Sequence, residues 1–76
     1  MAKVTVGPAW QVFTDGTTNG ILSAPGTILL YIGAAAPTQA DAGIPFTNEK
    51  IQVGSPAKSW IRSHDLNAVD GVMFTF

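Results

Sequence analysis

This chain has little charge, no cysteine and a single histidine, and each shortage removes a class of structure or chemistry. Only 12% of its 76 residues are charged, against a usual share of about 25%. Without cysteine there are no disulfides, and His64 alone excludes a histidine-rich zinc site. Because a core of this size is marginal by itself, oligomerisation is the remaining route to stability.

The chain also lacks a strong charge of either sign and any long hydrophobic run. Its net charge of −1 offers no field that would attract nucleic acid or an anionic membrane. The best apolar run, Ile28 to Ile32, is far shorter than the ~20 residues of a membrane span. Met1–Val4 lacks the apolar stretch of a signal peptide. We therefore expect a protein made in the cytoplasm, with no nucleic-acid and no membrane partner.

What the chain does have is hydrophobicity, since 46% of its residues are apolar. A domain this small exposes most of its residues, so apolar side chains must lie on its surface. Large apolar surface patches usually mark interaction sites. We expect a single β-rich domain, residues 1–76, that is covered by partners. Further copies of the same chain are one such partner.

Glycine and proline interrupt the sequence so often that an all-β fold is expected. Ordinary helices have room only between Ala57 and Asp70, and the other segments are rich in β-branched and aromatic residues. The pattern predicts a small antiparallel β-sandwich or barrel of about six to eight short strands, which subunit contacts could complete. Asn19-Gly20 is predicted as a type I′ hairpin turn, with Asp15-Gly16 as a second candidate. The predicted strands are Lys3–Val6, Ala9–Phe13, Ile21-Leu22, Thr27–Ile32, Ile44–Phe46, Lys50–Val53, Lys58–Arg62 and Val72–Phe76.

Two of these strands are unusually apolar. Ile28–Ile32 is apolar on both faces, so it either lies between two covered layers or presents one face to another subunit. Val72–Phe76 ends on phenylalanine, which suits a strand that is central in a sheet or pairs with a neighbour. An ordinary buried strand is the simpler interpretation of this second segment.

The large aromatic residues are the candidate anchors of an interface. Aromatic side chains dominate the centres of stable protein interfaces. We predict that five of them divide between the core and a subunit interface: Trp10, Tyr31, Trp60, Phe74 and Phe76.

A second candidate surface follows from strand alternation. Lys58, Trp60 and Arg62 alternate, so they share one face of their strand. Aromatic and basic side chains side by side can bind a sugar or a single-stranded nucleic acid. The simpler interpretation places Trp60 in the core or an interface, with the charged side chains around it.

No set of residues predicts catalysis. Ser63-His64-Asp65 contains the residue types of a hydrolase triad, but neighbours on a strand point to opposite faces. The acidic residues are dispersed beside turns, where they normally bond to the backbone. We expect no enzymatic activity, no cofactor and no metal site.

Four short motifs follow one another in the second part of the chain: Tyr31-Ile32-Gly33, Gly43-Ile44-Pro45-Phe46, Glu49 and Ile51-Gln52-Val53. Two candidate closing strands come after them, Ser59–Arg62 and Val72–Phe76. From about Ile28 onwards this succession resembles the small β-rich structural proteins of tailed bacteriophages.

The resemblance implies a virion component that is made in the host cytoplasm and that forms a dimer or trimer on a larger protein assembly. The expected role is a capsid decoration or cement subunit, which stabilises a phage head through apolar protein–protein contacts. One alternative is a phage tail or head–tail accessory protein. Another is a small β-module that binds a carbohydrate or other ligand through the Lys58, Trp60 and Arg62 face.

Overall fold

The computed structural model describes residues 2–38, 43–64 and 67–76, and the regular structure of these residues is all β-strand. Eight strands form two four-stranded antiparallel sheets, which confirms the predicted β-sandwich. The strands are β1 (Ala2–Val6), β2 (Gln11–Asp15), β3 (Gly20–Ser23), β4 (Thr27–Ile32), β5 (Ile44–Thr47), β6 (Lys50–Val53), β7 (Lys58–Ser63) and β8 (Val69–Thr75).

The strand order is that of an eight-stranded jelly roll. Sheet A has the order β1-β8-β3-β6, and sheet B has the order β2-β7-β4-β5. Apart from β4 and β5, which are paired neighbours, consecutive strands lie in different sheets. Strand β8 is central in sheet A, as one of the two interpretations of this apolar segment predicted.

The core lies between the inner faces of the sheets, and alternation along each strand selects the side chains that enter it. In β7, Ser59 and Ile61 are buried, whereas Trp60 and Arg62 lie on the outer face. The buried hydrophobic cluster consists of Val6, Phe13, Leu22, Ile28, Leu30, Ile51, Val53 and Ile61.

A bulge in β2 brings two consecutive residues into this core. The register with β7 shifts between Val12 and Thr14, and both Phe13 and Thr14 are buried. The Thr14 hydroxyl donates to the Ala57 carbonyl at 3.0 Å and lies 2.6 Å from the Ser59 hydroxyl. The buried hydroxyls therefore satisfy each other inside an apolar core.

All eight predicted strands are present, but two are displaced along the sequence. The strand predicted at Ala9–Phe13 is Gln11–Asp15, and the one predicted at Val72–Phe76 is Val69–Thr75. The predictions for Thr27–Ile32 and Lys50–Val53 match the observed bounds.

The predicted hairpin at Asn19-Gly20 is wrong. A type I′ turn needs positive φ at both central residues, and neither Asn19 nor Gly20 has it. Gly20 instead begins β3, and a Cβ there would lie 2.7 Å from Thr14 Cγ2. Glycine is thus favoured because the side chains of Phe13 and Thr14 from the opposite sheet pack directly against it, not because the chain turns. The turn at Asp15-Gly16, where Gly16 has a φ of 94°, carries the chain from sheet B to sheet A and is not a hairpin either.

Candidate interaction surfaces

The five aromatic residues predicted for an interface lie on the two opposite outer faces of the sandwich. Trp10, Tyr31 and Trp60 are half-buried on the outer face of sheet B, whereas Phe74 and Phe76 are exposed on sheet A. None of the five belongs to the core cluster, whose aromatic member is Phe13. The prediction that some of the five lie in the core is therefore wrong, because Phe13 and aliphatic side chains fill the space between the sheets. That some of them lie in a subunit interface stays a prediction.

On sheet B, the cationic and aromatic side chains of β7 share one face, as alternation predicted. The Lys58 ammonium nitrogen lies 5.1 Å from the centre of the Trp60 ring. The Arg62 guanidinium carbon lies 5.2 Å from the centre of the Trp10 ring. Cations at these distances are attracted to the ring faces. Both cations are thus engaged by indoles of their own chain.

Trp10 lies across this face from its position just before β2. Its Nε1 donates to the Thr38 carbonyl at 2.9 Å, and its ring meets Tyr31 edge-on with centroids 6.0 Å apart. A Cβ on Gly43 would lie only 2.9 Å from the outer edge of the indole, so the backbone of Gly43 contacts the ring closely. Trp10 therefore holds two residues of the connection between β4 and β5, Thr38 and Gly43, against the sheet.

The second indole completes the covering layer. Trp60 Nε1 donates to the Gly33 carbonyl at 3.1 Å. Leu29, on the outer face of β4, is buried, and it adjoins Gly43 beside the Trp10 ring. The strand that is apolar on both faces thus lies between two covered layers. The second layer is supplied by the chain itself, so this strand does not need another subunit to cover it.

Among the described residues, no such layer covers the outer face of sheet A. Val72, Phe74 and Phe76 follow one another on the same side of the β8 segment and are 38%, 42% and 55% exposed. The two phenyl rings stack with their centroids 5.5 Å apart. Ile21 on β3 lies directly opposite Phe74 and extends the apolar surface. We call these four residues the β8 face.

Two shallow grooves run on either side of Val72 on this sheet. One, of about 320 Å³, is lined by Ile21, Phe74 and Lys50 together with Val72 and Ser23. The other, of about 500 Å³, extends towards β1 and includes Lys3, Thr5 and Asp70. Val72 therefore forms a ridge between two depressions, and one lysine lines each of them.

The described residues include Ser63 and His64 of the hydrolase-like set and three of the five acidic side chains. They contain no group of three or more side chains that could hold a metal ion. Ser63 is buried and donates to the Asn67 carbonyl at 2.9 Å, His64 is exposed, and Asp65 lies outside the described residues. At Asp15, hydrogen bonds from the hydroxyl and backbone N–H of Thr17 lower the carboxyl pKa below its ordinary value. This carboxylate stabilises a turn.

Sequence reasoning missed the neighbours of Phe74 and Phe76. Alternation shows that Ile21 and Leu22 face opposite sides of β3, but it does not show which of them faces outward. Lys3 and Lys50 join this surface only because β1 and β6 are the two edges of sheet A. Scattered along the sequence, these residues give no local signal of a shared surface.

The strand order alone does not select a function, because one fold supports many. No helix in the described part of the chain has the length and hydropathy needed to cross a membrane. Comparisons with family models, with curated proteins and with solved structures found no match to this chain.

Proposed function

We propose that this protein is a non-enzymatic structural subunit that adheres to a larger protein assembly through the β8 face. The observation that carries the proposal is the contrast between the two sheets. The outer face of sheet B is largely covered by its own tryptophans and leaves Val12 exposed, whereas the outer face of sheet A leaves three large apolar side chains of one segment in solvent. Apolar patches of this kind mark protein interaction sites on small soluble domains.

The assembly we propose is a phage virion, with the chain as a capsid decoration or cement subunit. The resemblance of residues 28–76 to small β-rich structural proteins of tailed phages supports this role. Jelly rolls are also common among viral capsid domains, which is support by analogy at the level of the fold. A position in the tail or at the head–tail junction is the alternative within the same class.

A subunit of this class is expected to associate with itself as a dimer or trimer. A second pair of exposed apolar residues, Ile32 and Ile44, is available for that contact at the rim of sheet B. They are diagonal neighbours on β4 and β5, on the same face of the sheet as the buried Leu30. Light scattering over a range of protein concentrations measures this association directly.

The role is tested by asking whether the chain copurifies with intact particles. Particles are banded by density, washed in high salt, and analysed by quantitative mass spectrometry for peptides of this protein. A fixed copy number that survives the wash is expected, because apolar contacts are not screened by salt. Recovery only in the unbound fraction would contradict the proposal.

The second candidate function is ligand binding on the outer face of sheet B. The observation in its favour is that Arg62 Nε is buried and has no hydrogen-bond partner among the described residues. A carbohydrate or another ligand of that face would bind the isolated monomer. Changing Trp60 would then abolish binding, while changes on the β8 face would leave it intact.

A further inference from the structure

We propose that the β8 face docks an apolar segment of another protein that carries a carboxylate on each side of its apolar residue. This inference rests on the proposed function and specifies the chemistry of the partner surface. The expected occupant is an extended segment that lies across the strands of sheet A.

The two lysines flanking the β8 face set this chemistry. Lys3, Val72, Ser23 and Lys50 are register partners, so they form one row across β1, β8, β3 and β6. Three strand spacings separate the outer positions, which places the two lysine backbones about 14 Å apart. Neither lysine makes an ion pair with a described residue, and Val72 rises between them.

The carboxylate on the same sheet does not neutralise this row. Asp70 lies in the next row, where its Oδ1 accepts a hydrogen bond from the Thr5 hydroxyl at 2.9 Å. Because Asp70 lies beside Thr5, no described acidic side chain lines the groove towards Lys50. The surface as a whole is therefore apolar at its centre and cationic at its two edges.

A second copy of the chain is a poor occupant of this surface. Two such faces brought together would contain four lysines but only two aspartates. Each Asp70 carboxylate already accepts a hydrogen bond from the Thr5 hydroxyl. Like charges that face each other across an interface select against that pairing. Charge complementarity instead favours a different protein that presents carboxylates to Lys3 and Lys50.

The spacing of the lysines fixes the pattern of the occupant. Side chains two residues apart on an extended segment share a face, and those four residues apart lie about 13 Å from each other. An acidic–x–apolar–x–acidic segment thus brings its carboxylates to the two lysines. Its central apolar side chain then enters the groove between Phe74 and Lys50.

Synthetic peptides test this pattern without the parent particle. The probe is acetyl-Glu-Thr-Leu-Thr-Glu-amide, titrated to millimolar concentration into the ¹⁵N-labelled protein and followed by amide chemical shifts. Shifts are expected at Ile21, Ser23, Val72 and Phe74. Replacing both Glu by Gln should weaken binding about tenfold, since an exposed ion pair contributes a factor of about three. Replacing Leu by Ser should abolish the shifts.

A charge exchange distinguishes recognition from general stickiness. The double variant Lys3→Glu/Lys50→Glu should no longer bind the Glu peptide. It should instead bind the peptide in which both Glu residues are replaced by Lys. Lys58→Gln, on the opposite sheet, is the matched control and should bind the Glu peptide as the parent chain does. Equal binding of the Glu, Gln and Lys peptides would overturn the inference. The same conclusion would follow from an absence of shifts, or from shifts confined to sheet B.

The outcomes separate this inference from the proposed function. A chain that copurifies with particles but binds all peptides equally is a structural subunit with a different partner chemistry. A chain that binds the Glu peptide selectively but never copurifies with particles has the docking site without the virion role. Concentration-dependent shifts at Val72 and Phe74 without peptide would identify a second copy as the occupant and overturn the inference.

Discussion

Replacing Trp10 by phenylalanine tests whether the chain itself closes the outer face of sheet B. A phenyl ring can keep the edge contact with Tyr31, but it removes the hydrogen bond from Nε1 to the Thr38 carbonyl. It also removes the part of the indole that contacts Gly43 and weakens the attraction for Arg62. The substitution therefore weakens or removes three of the contacts that hold the covering layer to the sheet.

The expected loss can be estimated from these contacts. A neutral hydrogen bond contributes about 1 kcal/mol to stability. Losing the second ring of the indole exposes apolar area worth about 1 kcal/mol, and the weaker cation–π contact adds about 0.5 kcal/mol. The free energy of unfolding should therefore fall by about 2–3 kcal/mol, which is a large fraction of the stability of a domain this small.

Urea denaturation followed by circular dichroism measures this loss, and the fluorescence of Trp60 gives a second probe. Val12→Thr is the matched control because Val12 is an exposed neighbour on the same face. This control should change the free energy of unfolding by less than about 0.5 kcal/mol. If Trp10→Phe is equally neutral, the indole does not hold the layer. The outer face of sheet B would then be open to a ligand, and this result would support the second candidate function, ligand binding on that face.

Three further results are expected. Phe74→Thr should weaken attachment to the particle about 30-fold, because covering the exposed 42% of a side chain of about 200 Å² is worth about 2 kcal/mol. Competition between the variant and the parent chain on purified particles measures the ratio of the two affinities, and Val12→Thr is again the control. Thr14→Val should lower the free energy of unfolding by about 2 kcal/mol and Ser59→Ala by about 1 kcal/mol. The double variant should cost less than both together, because Thr14→Val alone leaves the buried Ser59 hydroxyl without its partner, whereas in Ser59→Ala the Thr14 hydroxyl still donates to the Ala57 carbonyl. Strictly additive urea midpoints would contradict this. Asp15→Ala should lower stability at neutral pH only. Because the pKa of Asp15 is depressed in the fold, its carboxylate stabilises the fold above the unfolded pKa, and this stabilisation is lost as pH falls through the folded pKa. The urea midpoints of the variant and the parent chain should therefore converge in acid.

Local patterns located the strands but not the surfaces. Thr27–Ile32 and Lys50–Val53 were predictable because turn residues and β-branched side chains act over a few positions. Sheet membership depends on pairing between distant segments, and for this reason the hairpin prediction at Asn19-Gly20 failed. The alternation of Lys58 to Arg62 correctly placed these side chains on one face. That Trp10 covers this face follows only from the three-dimensional structure.

The order of strands in sheet A has a consequence for how the protein is made. Strand β8 is the last of the eight in sequence, yet it lies between β1 and β3 and joins them into one sheet. Pairing between segments so far apart in sequence is slow, and it leaves strand edges exposed until it is complete. Val72 and Phe74 belong to this same strand. The apolar face and the finished sheet therefore arise in a single event, and under the proposed function a partially folded chain would lack the docking surface.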